Sequence, residues 1–203
     1  MCIRDRYIDN RGHRFMREDE VNPDTRERIL LEKDIWNFWI VFDEAALLER
    51  NDDGSENPLI IGWDTAKMKA AAMEGSYMKM GDTVERLSAK IDVPTGHLMK
   101  TISEFNDMVD SGIDHSFGRT YLKNKISTPP FYALKVHASV LVTFGGIKVN
   151  DSLKIIGRDG NPLPGLYAAG EVLGLGATSG KAFCSGMAIT PCLSFGKWLG
   201  DTL

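Results

Sequence analysis

The chain has 203 residues, 43% hydrophobic and 26% charged, with 20 glycines, 8 prolines and a formal net charge of −4. This composition suits one mid-sized globular domain or two small ones and excludes a disordered chain. It also argues against a bilayer helix, because the longest dense apolar stretch, Trp36 to Phe42, falls far short of the roughly 20 residues required. Lys and Arg are scattered rather than gathered into the basic stripe that a nucleic acid would need. Cys2, Cys184 and Cys192 form neither a C-x-x-C pair nor a disulfide framework, which favours a reducing compartment, the cytoplasm first.

Residues 1–6, Met1-Cys2-Ile3-Arg4-Asp5-Arg6, join no periodic pattern and lack the apolar core of a signal peptide. They read as a leader foreign to the rest. Tyr7 to Met16 reads as a short hairpin, with Gly12 supplying the positive φ of its turn. A helix follows from Asp24 as N-cap, through Ile29 and Leu30 to Asp34, and Trp36 to Phe42 reads as a buried strand. Asn51 to Asn57 is a solvated loop closed by Pro58. Three helices come next. Asp64 caps the first, Asp82-Thr83-Val84-Glu85 opens the second with Glu85 where a capping box wants it, and Thr95 caps the third. Leu98, Ile102, Phe105 and Val109 give that third helix an apolar stripe. Met68, Met73, Met78, Met80, Met99 and Met108 read as core packing.

Thr128-Pro129-Pro130 marks a change of texture. Phe131 to Ser139 alternates as a strand and Val140 to Phe144 reads as another, interrupted by Gly145-Gly146. Short strands at Leu153 to Ile156 and Leu166 to Ala169 flank the turn Arg158-Asp159-Gly160-Asn161. A glycine-rich run spans Gly170 to Gly186, and a last helix runs from Met187 to Leu199. The fold class expected is α+β, a helical or mixed module at 7–130 followed by a β-rich module at 131–203.

The stretch Pro164-Gly165-Leu166-Tyr167-Ala168-Ala169-Gly170-Glu171 carries most of the chemical information. Its small residues let a flat ligand or another chain approach the backbone, and Glu171 falls at the C-terminal end of a strand, where α/β folds bind ligands. Gly174 to Gly180 adds bare backbone, although its spacing is not that of a phosphate-binding G-x-G-x-x-G. Composition alone leaves two readings open, a structural glycine-rich loop and a ligand cradle. The helix beginning after Gly186 would turn its free N–H groups toward whatever lies beside that run.

Four separated motifs decide between them. Phe131-Tyr132-Ala133, Thr143-Phe144-Gly145-Gly146, Pro164 to Glu171, and Gly186-Met187-Ala188-Ile189 with Phe195-Gly196-Lys197 together resemble the C-terminal part of the fumarate reductase/succinate dehydrogenase flavoprotein superfamily. Asn10 to Met16 resembles the hairpin by which that family enters its capping domain. The resemblance implies FAD as cofactor, with Gly145, Gly146, Gly170 and Gly186 leaving backbone bare beside it. It implies Glu171 on the ribityl chain or ribose, and the backbone of Ala188 and Ile189 at the flavin C2 oxygen. A helix N-terminus there favours the negative charge of a reduced flavin by about 1 kcal/mol, on the order of 20 mV for a two-electron couple.

The family holds the ADP part of FAD on an N-terminal βαβ unit with G-x-G-x-x-G, which these residues lack. The resemblance therefore implies a capping domain at 7–130, closing over the flavin, followed at 131–203 by the C-terminal segment of an FAD-binding α/β domain without its N-terminal Rossmann half. FAD would need that half, and the chain alone would be inactive.

Val142 and Phe183 stand where fumarate reductases carry a His and an Arg, and Ala182 stands where 3-ketosteroid dehydrogenases carry a Tyr. Without those cations a small dicarboxylate loses its clamp, so a larger and less charged substrate is expected against Ala182 and Phe183. Thr25-Arg26-Glu27 is the nearest match, with an insertion, to the family's Thr-Arg-Asp proton donor. Arg26 reads either as that donor or as a solvated residue of a charged helix start.

The activity expected is an FAD-dependent oxidoreductase that reduces or forms a C=C bond beside a carbonyl or carboxylate, with hydride transfer at flavin N5. The alternatives are a 3-ketosteroid-type dehydrogenase of the same superfamily and a non-catalytic binding module. No His/Cys/Asp spacing suits a metal, and no C-x-x-C-H or iron–sulfur pattern marks the electron partner.

Overall fold

The computed structural model describes residues 5–139, 142–178 (backbone only at 177 and 178) and 186–203. They fall into two compact units, Met1–Ala138 and Ser139–Leu203.

The first unit is built on a four-stranded antiparallel sheet in the order β1-β2-β4-β3. Its strands are β1 (Arg6–Ile8), β2 (Asn37–Asp43), β3 (Met78–Gly81) and β4 (Phe131–His137). β2 and β4 form the centre, with Val41 opposite Ala133. The two-residue period of β2 divides the core between the faces. Trp39 and Val41 join Ile8 and Ala133 in packing against α4 (Val84–Ile91) and α5 (Thr95–Ser111), through Leu87, Ile91, Leu98, Ile102 and Phe105. Phe42 joins Tyr132 and Met78 in packing against α2 (Glu44–Leu48) and α3 (Thr65–Glu74). Further along, Phe38 meets Tyr7, Phe15 and Met16 under the partly buried Ile29 and Leu30 of α1 (Pro23–Glu32).

Several local expectations hold and others shift. Asp64 caps α3, accepting the Lys67 N–H at 2.7 Å, and the Leu98, Ile102 and Phe105 stripe is buried. The turn at 9–13 is present, with the Gly12 N–H donating to Asp9 O at 3.0 Å and φ of Gly12 at +83°. The expected hairpin partner is different, however. β1 pairs with β2, because Phe15 and Met16 enter the core and Arg14 enters a buried ion network. Asn22 rather than Asp24 caps α1, since Pro23 occupies the first turn and the Asn22 side chain accepts the Asp24 N–H at 3.0 Å. Thr83 caps α4, placing Glu85 one position early for a capping box. α5 starts at Thr95 itself, whose hydroxyl meets Ser88 Oγ at 2.6 Å. Met68 and Met78 are core, whereas Met73 and Met99 face outward.

Two boundaries also move. Asp5 and Arg6, read as leader, are folded: both are buried, and Arg6 pairs with Val41 in the sheet. β4, read as the start of the second module, is the central partner of β2, so the units divide after 138 rather than 130.

The second unit holds the antiparallel pair β5 (Lys154–Ile156) and β6 (Pro162–Tyr167). A 3₁₀ turn (Gly170–Leu173), α6 (Leu175–Thr178) and α7 (Ile189–Thr202) follow. Leu153, Ala168 and Leu173 form its small core against Phe195 and Leu199. β6 begins and ends earlier than expected. Val140 and Leu141, the first two residues of the strand expected at Val140 to Phe144, lie outside the described residues, and 142–144 is not strand.

Among the described residues no helix is long and apolar enough to cross a membrane.

Candidate functional site

In the second unit, residues 143–147 run beside 172–176. The Leu175 N–H donates to Thr143 O at 2.9 Å, Gly176 N–H to Phe144 O at 3.0 Å and Ile147 N–H to Val172 O at 2.8 Å. This approach is possible only without side chains. A Cβ on Gly146 would fall inside the backbone of Leu173 and Gly174, and one on Gly174 would come within 2.5 Å of Phe144 O. Gly146 is thus spent on internal packing. Gly145 differs, since a Cβ there would meet nothing within 4 Å, and its bare face is open.

Gly170, at φ +82°, sits against Cys192 of α7, a half-buried free thiol whose Sγ is 3.1 Å from where a Cβ would be. Glu171 follows at the start of the 3₁₀ turn, exposed, and its carboxylate makes no hydrogen bond or ion pair among the described residues. Gly186 takes φ +84° and its carbonyl accepts the Thr190 N–H at 2.9 Å. α7 then begins at Ile189 with Ala188 as cap and no side chain satisfying its first turn. The amides of Ala188 and Ile189 therefore have no acceptor among the described residues, which leaves two donors and the positive end of the helix dipole for an anion or an electron-rich oxygen. Ala182 and Phe183, expected to line the substrate pocket, lie outside the described residues. Val142 is half-buried.

Arg26 lies in the first unit, one turn into α1. It is partly exposed, its N–H bonds Asn22 O at 3.2 Å, and its guanidinium has no partner among the described residues.

What sequence reasoning missed is a buried ion network behind that segment. Arg14 grips Glu18 with two nitrogens, Nη2 to Oε2 at 2.6 Å and Nε to Oε1 at 3.1 Å. Its Nη1 reaches Asp114 Oδ2 at 2.7 Å. Arg119 Nη1 lies 3.2 Å from Glu18 Oε2, and Arg6 Nη1 lies 3.3 Å from Oε1. Burial pulls the Arg6 guanidinium down to about 10, with Arg14 and Arg119 adding to the shift and Glu18 opposing it. Asp114 is lowered to about 2. Burial works against its charge, but donors from Arg119, Arg14 and Phe117 outweigh that cost. The available signal was the run Arg14-Phe15-Met16-Arg17-Glu18-Asp19, where charges interrupt core residues.

A cleft of about 300 Å³ opens beside this network, lined by His13, Arg14, His97, Lys100, Thr101, Glu104 and Phe117 among others. Arg14 is already engaged by two carboxylates and Lys100 lies 3.8 Å from Glu104, so the cleft lacks the unpaired cations of a carboxylate clamp. Among the described residues no group of three or more His, Cys, Asp or Glu is placed to hold a metal.

A bare glycine face, a free carboxylate and an uncapped helix start on one unit are what a nucleotide-binding flavoprotein domain offers its cofactor. A family model described as an FAD binding domain matches residues 6–187. The chain belongs to that family, within the fumarate reductase/succinate dehydrogenase flavoprotein superfamily, and FAD is its cofactor.

It is 40% identical over 161 residues to an NADH:acrylate oxidoreductase of Vibrio harveyi, covering 79% of this chain and 16% of that protein. It is 31% identical over 195 residues to a probable fumarate reductase of Shewanella frigidimarina, covering 96% of this chain and 30% of the relative. Among solved structures, the open conformation of a flavocytochrome c3 fumarate reductase matches with a TM-score of 0.70 at 28% identity, covering 98% of this chain and 32% of that one. The chain thus spans a third or less of the length of these relatives.

Proposed function

We propose that this chain is the C-terminal part of an FAD-dependent reductase that saturates a carbon–carbon double bond beside a carbonyl or carboxylate. The observation that carries the reading is the start of α7, where among the described residues nothing caps the amides of Ala188 and Ile189, in the unit that also holds the exposed Glu171 carboxylate. The relatives named for acrylate and fumarate support the reaction class.

When bound, FAD supplies the hydride from N5. The chain's own residues do the rest. Glu171 accepts hydrogen bonds from ribityl or ribose hydroxyls. The Ala188 and Ile189 amides hold electron density at the C2 oxygen of the ring, and Gly145 leaves backbone bare for close approach. Arg26 holds a proton on its guanidinium and delivers it to the carbon next to the one that receives hydride. Among the described residues no carboxylate pairs with it, which leaves that group free for the role.

Val142 is apolar where fumarate reductases place a histidine, so the substrate is larger and less charged than fumarate. The upstream nucleotide-binding half of the family is needed to retain FAD.

Two measurements test this. Gel filtration of the purified chain with FAD is expected to leave the flavin free, and co-elution would show that these residues suffice. Protein that includes the upstream nucleotide-binding half is then loaded with FAD, reduced anaerobically and mixed with acrylate, fumarate, larger unsaturated acids and enones. Reoxidation fastest with the larger substrates is expected. Fumarate turning over best would sink the substrate assignment, and no reoxidation by any C=C acceptor would sink the reaction class.

A further inference from the structure

α1 carries Arg26 but fully buries none of its side chains. Ile29 and Leu30 make only partial contacts with the core, and the flanking Val21 and the helical Leu31 are 78% and 65% exposed. Most helices take their position from a buried apolar face, and this one has little of it.

The segment before α1 is held far more firmly. Asp19, 7% exposed, accepts three hydrogen bonds from the loop that follows α5. These come from the Thr120 N–H at 2.8 Å, the Thr120 hydroxyl at 2.7 Å and the Tyr121 N–H at 3.1 Å, while Arg17 Nε donates to the other oxygen at 3.1 Å. Burial disfavours the charge on Asp19, yet the Thr120 and Tyr121 donors keep its carboxyl below the ordinary value. Hydrogen bonds then continue into the helix. Glu20 Oε1 accepts the Asn22 N–H at 2.9 Å, Asn22 Oδ1 accepts the Asp24 N–H at 3.0 Å, and Asn22 O accepts the Arg26 N–H at 3.2 Å.

We propose that Asp19 is a positioning residue for Arg26: by clamping the chain to Thr120 and Tyr121 it sets the origin of α1, and so the place from which the guanidinium delivers its proton. This rests on the reading of Arg26 as proton donor. A weakly packed helix anchored at its start pivots about that anchor. Displacements near 1 Å at a reacting group cost on the order of a hundredfold in rate.

The test uses FAD-loaded protein that includes the upstream nucleotide-binding half. Asp19→Ala is expected to speed amide exchange across 23–32 by about tenfold while β2 and β4 exchange as before, and to lower kcat by about tenfold or more with KM within about twofold. Thr120→Val removes one of the three bonds from the loop. It gives the same pattern in smaller measure, and decides the matter if Asp19→Ala does not fold. Thr120→Ser keeps the hydroxyl and behaves as the parent. Unchanged α1 exchange, or unchanged kcat, in these variants overturns the proposal. Arg26→Ala separates the two layers. Turnover that survives it overturns the proton-donor reading and the purpose of the clamp together. Turnover lost in Arg26→Ala but unchanged in Asp19→Ala overturns the clamp alone.

Discussion

Arg14 and Glu18 face each other through two hydrogen bonds, Nη2 to Oε2 at 2.6 Å and Nε to Oε1 at 3.1 Å, with both side chains 5% exposed or less. The planar fork of the guanidinium matches the carboxylate, and the remaining Arg14 nitrogen binds Asp114. Glu18 also meets Arg119, so this one carboxylate joins the segment before α1 to the loop after α5. Glu18→Gln keeps the shape and removes the charge, so Arg6, Arg14 and Arg119 lose the buried carboxylate they share. The expected cost is about 3–5 kcal/mol, read from urea unfolding. A loss below about 1 kcal/mol would show that the network is not needed for stability.

Asp114 gives the fold an acid limit. Its carboxyl is lowered from 3.8 to about 2 in the folded protein, so it stabilises the fold fully above pH 4, and this contribution disappears as pH falls toward 2. Its size is about 2 kcal/mol. Asp114→Asn should be less stable than the parent at pH 6, with the gap closing as pH falls through that window. Parallel curves for the two proteins between pH 5 and 2 would refute the assignment.

Gly145 and Gly146 are neighbours with opposite consequences. Gly146→Ala drives a methyl into the Leu173–Gly174 backbone and should destabilise by about 1–3 kcal/mol. Gly145→Ala meets nothing and should leave the melting temperature nearly unchanged, within about 0.5 kcal/mol. If the Gly145 backbone faces the flavin, the same substitution in protein that includes the upstream half lowers FAD affinity about tenfold, which titration of flavin fluorescence measures. An unaltered affinity would place the cofactor elsewhere.

Glu171 is exposed and has no partner among the described residues, so Glu171→Ala should not alter stability. In protein that includes the upstream half, loss of a charge-assisted hydrogen bond to a ribityl hydroxyl should weaken FAD binding by about 1.5–3 kcal/mol, roughly ten- to a hundredfold in Kd. An equal loss of melting temperature in the FAD-free protein would instead make Glu171 a structural residue.

Local patterns were legible where local physics decides them. The 9–13 turn, the Asp64 cap, the Leu98–Ile102–Phe105 stripe and the β2 strand all follow from short-range spacing. The glycine motifs were legible as a set, but their division of labour was not. That Gly146 serves packing while Gly145 is open depends on where residues 172–176 run. Likewise the Tyr7–Met16 hairpin was half visible, since the turn is local while the partner of β1 is β2.

The amino-acid sequence by itself determined the mixed α and β composition, the order of motifs that identifies the flavoprotein family, and the candidate residues Arg26, Glu171, Ala188 and Ile189. The composition and the motifs rest on residue type and spacing within short windows, and the candidate residues on the resemblance to that family. Only the tertiary structure decided that β4 belongs to the sheet of the first unit, that Glu18 is held by Arg14 and Arg119, and that Asp19 is held by Thr120 and Tyr121. Apart from Arg14, four positions before Glu18, those partners stand about a hundred positions away, so the fold that brings them together decides the pairing.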